Sequence, residues 1–547
     1  MTQTQTQSVL TSSTVMAVGT VLSRLTGFVR AALLAAAIGL TTAHADIFNV
    51  PNTIPNSLYI LVAGGIFNAV LVPQLVRAMK NDPDGGDAYA NRIITLGALV
   101  LVGVTVVLLV LAPLVLRLYA NGEYFTDPTL AAERQSLINF ARWCMPQIFF
   151  YGMFVLFGQI LNARGKFGPM MWTPIANNVV GIATIVAYLV LYSGQAATGG
   201  YTTRQEILLG LGSTVGIAVQ TLLLLPYLRA TGFSIRPRFD FKGTGLSHTA
   251  RLGMWTIGFV IVNQIAYFVM THRATSATVG SKNGAGYTVY SNAFLLTQVP
   301  HSVVTVSLAT AMIPLVSRLA AEGRIRQLAV ELSSTLRLML SIMLPFAVAL
   351  AVLGPAIATV LFSWGKAAGD TTTLGTTLVA FAPGLLLFSV HYVLLRGFYA
   401  LEDTRTPFYI QCLIAAVNIV LAITLTIVVG PDLVAPMLAL AYSASYLAGA
   451  VVAVFLLAHR LGGLDGHELV RFVVRVLLAS ITAAISTWVV ILLLEGVGLN
   501  TSSKLDALVL LVVGGGVGIC VYVVLARLMH IREIAKIVGV VTARLRS

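Results

Sequence analysis

Charge is the scarcest commodity in this sequence. Asp, Glu, Lys and Arg together make up 10% of the 547 residues, against about 25% in an ordinary soluble domain. Hydrophobic residues make up 57%, and the mean hydropathy is +0.89. That balance excludes a soluble globule and leaves a polytopic membrane protein. Cysteine is nearly absent: Cys144, Cys412 and Cys520 sit singly in apolar runs, which excludes a disulfide framework, a zinc site or a C-x-x-C redox pair. No G-x-x-x-x-G-K-[ST] loop occurs, so there is no sign of an ATP motor. Residues Met1–Ser8 lack a positive stretch and no A-x-A cleavage site follows, so the first helix is expected to stay in the mature chain. His44, His272, His301 and His391 are scattered without ligand spacing and read as packing residues. No metal and no cofactor is expected. The acidic cluster Asp82-Pro83-Asp84-Gly85-Gly86-Asp87 resembles the paired acids that hold a metal and a sugar nucleotide. Its short, turn-rich setting reads instead as a solvated turn.

What the chain does have is a long series of apolar runs broken by short polar loops. They predict an all-α polytopic fold of about fourteen transmembrane helices. The helices fall near 10–40, 46–79, 88–119, 132–163, 168–193, 204–229, 246–273, 284–320, 327–363, 371–401, 405–430, 433–459, 468–495 and 505–530. An even number places both termini on one side. The loops of that side hold Arg77, Lys80 and Arg92, then Arg164 and Lys166, then Arg229, Arg236, Arg238 and Lys242, with further bases through to the tail. The opposite loops hold fewer, among them Arg117, Arg134, Arg204, Arg273 and Lys504. By the positive-inside rule both termini are cytoplasmic. The formal net charge of +14 then marks topology and contact with anionic lipid, not a nucleic-acid patch.

An internal repeat is visible. Pro73 to Arg77 ends the second helix with the same spacing as Pro314 to Arg318 in the eighth. Pro146 opens a run through Gly165 and Pro169 to Asn178, and Pro383 opens a matching run through Asp403 and Pro407 to Asn418. Six intervening helices give the copies one orientation, as in parallel-repeat transporters with a site between two lobes. The expected division is a lobe of helices 1–6 (1–235), a lobe of helices 7–12 (236–463), and two further helices with a basic tail (464–547). Chance similarity between apolar segments is the alternative. Mid-span prolines (Pro51, Pro55, Pro174, Pro300, Pro345, Pro383) read as bends whose freed backbone groups neighbours satisfy. Gly514-Gly515-Gly516 makes a thin helix face, read first as close packing.

The candidate site starts in the first helix, at Ser23-Arg24-Leu25-Thr26-Gly27-Phe28-Val29-Arg30. Arg24 lies near the middle of a span, and a guanidinium stays charged there. A central Arg costs about 2.5–3.5 kcal/mol on insertion scales, so it must face protein or water. Six positions set Arg24 and Arg30 ~120° apart, so they can line one broad cavity but not one narrow stripe. For Arg30, snorkelling or capping a neighbouring helix is the competing role. Arg142, Arg337, Arg396 and Arg273 lie in or near other spans, whereas deep acids are nearly absent and Asp46 is the nearest candidate partner. Uncompensated arginines favour an anionic guest such as a phosphate or pyrophosphate. A drug or metal-cation exporter would be expected to bury carboxylates instead.

These residues resemble a known family, the MurJ (MviN) lipid II flippases, within the multidrug/oligosaccharidyl-lipid/polysaccharide exporter superfamily. The resemblance spans essentially the whole chain. It is sharpest in Ser23-Arg24-x-x-Gly27-Phe28-x-Arg30, Ala45-Asp46-x-Phe48, Pro55-Asn56, Gly65-x-Phe67, Val72-Pro73, Gln298-Val299-Pro300 and Ile313-Pro314. It implies fourteen helices, two six-helix lobes around a cationic central cavity, and a last pair of helices that forms a groove for a polyprenyl tail. It further implies that Arg24 and Arg30 hold a pyrophosphate and that Asp46 matches an acidic position the family needs. Ser23 and Asn56 would offer polar contacts, and Gly27 room for close approach. This sequence departs from the family at Ala31, where many relatives have an acid, and at Tyr59 and Ile60, where proteobacterial relatives have an arginine pair. Gly64 stands where those relatives have an acid, and Asn292 to Leu295 supply no arginine in the eighth helix, a place Arg273 would have to fill. Actinobacterial relatives often continue into a long cytoplasmic extension; this sequence ends at Ser547.

The expected function is therefore to flip lipid II, an undecaprenyl-pyrophosphate-linked precursor, from the inner to the outer leaflet of the bacterial cytoplasmic membrane by alternating access. No covalent chemistry is involved. Cell-wall or division machinery is a possible partner class. The alternatives are another exporter of the superfamily carrying a polysaccharide-linked polyprenyl lipid, or a polyprenyl-phosphate-dependent glycosyltransferase built on Asp82 and Asp84.

Overall fold

The computed structural model describes residues 3–60, 78–79, 82, 84–193, 199–240, 246–279, 284–464, 466–531 and 533–534. Every regular element among them is helical, as an apolar solvent demands: a span in hydrocarbon must satisfy its own backbone hydrogen bonds. The chain forms two compact units, residues 1–280 and 281–547.

The first unit carries α1 (Gln3–Ile38), α2 (Ala43–Tyr59), α3 (Asp87–Val110), α4 (Pro128–Ala163), α5 (Gly168–Tyr192), α6 (Thr203–Ala230) and α7 (Leu246–Thr275). The second carries α8 (Tyr287–Ala321), α9 (Ile325–Phe362), α10 (Thr371–Ala400), α11 (Arg405–Ile427), α12 (Val434–Leu461), α13 (Gly466–Gly496) and α14 (Lys504–Leu528). Thirteen of these hold a stretch long and apolar enough to cross a membrane. The exception is α2, whose described part is 17 residues long; its expected continuation, with the Val72–Arg77 half of the repeat, lies outside the described residues. This is a multi-pass membrane protein.

The helix ends follow local chemistry. Gly39, at φ +91°, closes α1 in a conformation that side chains rarely adopt. Thr42 then caps α2, its hydroxyl accepting the N–H of Ala45 at 3.2 Å. Thr202 and Gln205 form a capping box at the start of α6. Pro146 interrupts α4 between Cys144 and Gln147, whereas its repeat partner Pro383 sits inside an unbroken α10. The paired asparagines also differ: Asn178 of α5 reaches α1, and Asn418 of α11 reaches Ser445 of α12 at 3.5 Å.

Packing in the first unit sets α1 along α5, α2 along α4, and α7 against α2 and the short helix Ala112–Tyr119 that prolongs α3. In that packing α7 belongs with α1–α6, while the sequence repeat groups it with α8. In the second unit α9, α10 and α12 form the core, and the hydroxyl of Tyr522 in α14 donates to the Ser341 carbonyl of α9 at 2.6 Å. The Gly514 region packs closely: Thr487 of α13 donates its hydroxyl to the Gly514 carbonyl at 3.1 Å, and a Cβ at Gly518 would stand 2.4 Å from the same hydroxyl. Gly516 faces open space.

Candidate anion-binding site

The α1–α5 seam determines where the first-helix residues point. Gly19, Ser23, Gly27 and Arg30 follow one another at spacings of four, four and three, so they share one face of α1. That face lies on α5, and the two helices run parallel. A Cβ on Gly19 would stand 2.8 Å from Trp172 Nε1, and one on Gly27 3.4 Å from Asn178 Nδ2. Asn178 donates its amide to the Ser23 carbonyl at 2.9 Å and to the Thr26 hydroxyl at 3.0 Å. Further along, the Arg30 guanidinium lies against Gly181, where a Cβ would come within 2.5 Å of Nε. Its Nη1 reaches Asn177 Oδ1 at 3.5 Å, a long contact. Asn177 in turn sits between Arg30 and Gly216 of α6, where a Cβ would meet Asn177 Oδ1 at 2.5 Å.

Arg30 is thus half-buried in a neutral setting. The other groups within its electrostatic reach are Tyr151 and Cys144 of α4. Tyr151 stacks on Tyr59 of α2 at 5.2 Å and 26° between planes. Asn52 of α2 accepts from Gln147 Nε2 at 3.0 Å and from the Cys144 thiol at 3.6 Å. Arg24, on a different face of α1, is half-buried and has neither a hydrogen-bond nor an ion-pair partner among the described residues. No carboxylate among the described residues pairs with either arginine.

The remaining expected residues lie elsewhere in the first unit. Asp46 is 1% exposed, in the first turn of α2. It accepts a hydrogen bond from the Thr278 hydroxyl at 3.1 Å, and Tyr124 meets the same hydroxyl at 3.3 Å. Arg273 lies in the last turn of α7, five residues before Thr278, and is half-buried. Asn56 is exposed on α2, its side chain without a hydrogen bond among the described residues. The structure therefore gathers Ser23, Gly27 and Arg30 on one seam. It sets Asp46, with Arg273 five residues before its Thr278 partner, in a separate hydroxyl network at the other end of α2.

Arg142 does not join this group, and Arg337 and Arg396 belong to the second unit. Arg142 is exposed, and Arg337 pairs with Glu468 at 3.4 Å and Glu533 at 3.9 Å. Arg396 lies over Tyr392 at 4.3 Å. The acidic cluster before α3 has structural work. Asp84 accepts the N–H of Ala88 at 2.7 Å and of Gly86 at 3.1 Å, and these bonds hold its carboxyl below the usual carboxylate range. Asp87 pairs with Arg164. Sequence reasoning passed over Asn177, Tyr151 and Asn52; polar residues within apolar runs were the available signal.

The family profile "Lipid II flippase MurJ" matches residues 34–505, most of the chain. The chain belongs to this family. Among MurJ relatives, a "Probable lipid II flippase MurJ" of Haemophilus influenzae is 28% identical over 488 residues, covering 86% of this chain and 90% of that one. One of Vibrio cholerae is 28% identical, covering 76% and 78%. A solved structure described as "Lipid II flippase MurJ, inward closed conformation" matches at a TM-score of 0.71 and 18% identity over 95% of this chain and 99% of that one. An inward-facing multidrug resistance MATE family transporter of the MOP superfamily matches at 0.65 and 16% identity, over 80% and 95%. Both structures share the fold. Where proteobacterial MurJ proteins were expected to carry an arginine pair, this chain places Tyr59, stacked on Tyr151 beside Arg30.

Proposed function

We propose that this chain flips lipid II, moving its anionic polyprenyl-pyrophosphate headgroup across the bacterial cytoplasmic membrane from inner to outer leaflet. The observation that carries this reading is the state of the two arginines: Arg24 has no protein partner among the described residues, and Arg30 only the Asn177 amide oxygen. A guanidinium in a membrane span without a carboxylate is costly unless water or a guest supplies the counter-charge. A pyrophosphate offers oxygens that the planar fork of Arg can take two at a time. Arg24 and Arg30 clamp that group, Ser23 and Asn56 offer polar contacts, and Gly27 gives room for close approach. Asp46 and Arg273 act from the Thr278 network. The protein binds and releases by alternating access and alters no covalent bond in the lipid. Both termini are cytoplasmic, in keeping with the surplus of bases in the loops of that side. The lobes follow the repeat, 1–235 and 236–463, and the outward-delivered lipid meets the cell-wall assembly machinery.

The test is leaflet-resolved accessibility of lipid II in cells depleted of this protein and rescued by wild type or Arg24→Ala. Outer-leaflet lipid II with wild type, and its retention inside with Arg24→Ala at equal protein level, is the expected result. Filling of the outer leaflet in depleted cells overturns the substrate assignment.

A further inference from the structure

Two histidines buried in the second unit have chemistry that packing alone does not explain. His391, well inside α10, is 2% exposed, and neither ring nitrogen has a hydrogen-bond partner among the described residues. Its ring contact among the described residues is Tyr446 of α12, at 5.7 Å and 64°. A neutral imidazole always carries one N–H, so burial here orphans a donor at a cost of roughly 1–3 kcal/mol. Such a defect is rare in native proteins and calls for a cause.

His301, from α8, joins the same cluster. It opens a π-helical turn, His301–Val306, directly after Pro300. Its Nδ1 lies 2.9 Å from Ser389 Oγ of α10. Its ring lies 4.4 Å from Phe388 and 5.2 Å from Tyr392. Phe388 stands 5.0 Å from Tyr446, which completes the link to His391. A π turn inside a helix is a weak register and often marks a functional site.

The charged and titratable surroundings are sparse. Tyr442 and Tyr446 come from α12, His301 and Tyr290 from α8, and Tyr392, Arg396 and Tyr399 from α10 itself. From α9 comes Arg337, engaged with Glu468 and Glu533, and from α11 come Tyr409 and Cys412. Every described Asp and Glu of this unit lies in a loop or within two turns of a helix end. Histidine is the side chain whose charge ordinarily changes near neutral pH. His301 and His391 are the described groups of that kind deep in these helices.

We propose that the aromatic cluster around His301 and His391 is a proton-binding site, with His391 taking the proton on its free ring nitrogen. The charged ring then carries two donors, and this conformation offers them no acceptor among the described residues. Protonation therefore favours another arrangement of α8, α10 and α12, and the π turn at His301 is where α8 yields. One proton binds, and no covalent bond other than N–H forms. The use of this proton in transport rests on the flippase reading; its binding does not.

The experiment uses the full chain in lipid nanodiscs, without lipid II. Histidine C2-hydrogen exchange read by mass spectrometry reports each imidazole within its own peptide in wild-type protein, and backbone amide exchange reports residues 300–306. Between pH 8 and pH 3.5, His391 is expected to become an imidazolium, and amide exchange at 300–306 is expected to change several-fold at the same midpoint. His391→Asn and His391→Gln remove that amide change while melting as wild type does at pH 8. A His391 that stays neutral to pH 3.5, or one that titrates while 300–306 is unmoved, overturns the proposal. Lipid II movement in proteoliposomes under an imposed pH gradient separates the two readings. Titration of His391 with no lipid movement supports the site and shows that its proton does not drive lipid transport. Movement with a His391 that does not titrate sinks the site alone.

Discussion

Asn178 donates its side-chain amide to the backbone carbonyl of Ser23 at 2.9 Å, across the seam between α1 and α5. The same amide reaches the Thr26 hydroxyl, so one residue of α5 fixes both the depth and the rotation of the arginine-bearing helix. That bond decides which side of α1 is closed by protein. Arg30 shares the closed face, and Arg24 does not.

The seam tolerates little volume at Gly27. A Cβ there sits 3.4 Å from the Asn178 amide, so Gly27→Ala should keep activity and Gly27→Leu should not. Asn178→Ala removes two hydrogen bonds worth about 1 kcal/mol each and should lower the melting temperature by several degrees. Complementation and detergent melting curves check both.

Gly181 gives Arg30 its place. A methyl group at Gly181 would stand 2.5 Å from Arg30 Nε, so Gly181→Ala should displace the guanidinium without touching its charge. We expect Gly181→Ala to reduce lipid II movement at least tenfold at normal protein level, like Arg30→Lys. Wild-type movement in Gly181→Ala would show that the position of Arg30 is not critical.

Thr278 supports Asp46 from the turn after α7. Thr278→Val deletes the 3.1 Å bond to a carboxylate that is 1% exposed, and should cost about 1–3 kcal/mol. Thr278→Ser keeps the hydroxyl and should behave as wild type. Thermal unfolding of the pair measures the difference.

Tyr59 stacks on Tyr151 beside Arg30. Tyr59→Phe preserves the ring pair, whereas Tyr59→Ala loses about 0.5–1.5 kcal/mol beyond the lost area. Only the alanine variant should lower both stability and transport.

Arg92 clips the extended segment after α6 to the start of α3. Its Nε donates to Asp240 Oδ2 at 2.9 Å, while the N–H groups of Arg236 and Arg238 donate to Asn91 and Thr95. The bond from Arg92 holds the Asp240 carboxyl below its ordinary value. A depressed folded value means that the clip is at full strength above the unfolded value, about 3.9, and is lost as pH falls through the folded one. Amide exchange at 236–240, corrected for intrinsic rate, should therefore rise below about pH 4 in wild type. In Arg92→Ala it should already be raised at pH 7.

The helices were legible in the chain because each apolar run must satisfy its own backbone in lipid. All fourteen expected segments contain helix among the described residues, although Pro146 breaks the fourth and Pro383 leaves the tenth unbroken. The arginines were legible because a charge in a span is conspicuous against a background that is 57% hydrophobic. The partners of those charges were not legible. The sequence offers Asn177, Asn178 and Gly181 as three small or polar residues in one helix, and nothing local says that they meet α1 some 150 positions earlier. In the same way His391 reads as one histidine among eight until the fold leaves both its nitrogens without a partner among the described residues. Composition and periodicity determined that the chain crosses the membrane in many helices and that Arg24 and Arg30 cannot face lipid. Only the tertiary structure decided that Arg30 lies against α5, that Arg24 has no partner among the described residues, and that Asp46 meets Thr278. The reason is that hydrogen-bond partners are chosen by contacts between helices distant in sequence, and apolar periodicity carries no record of them.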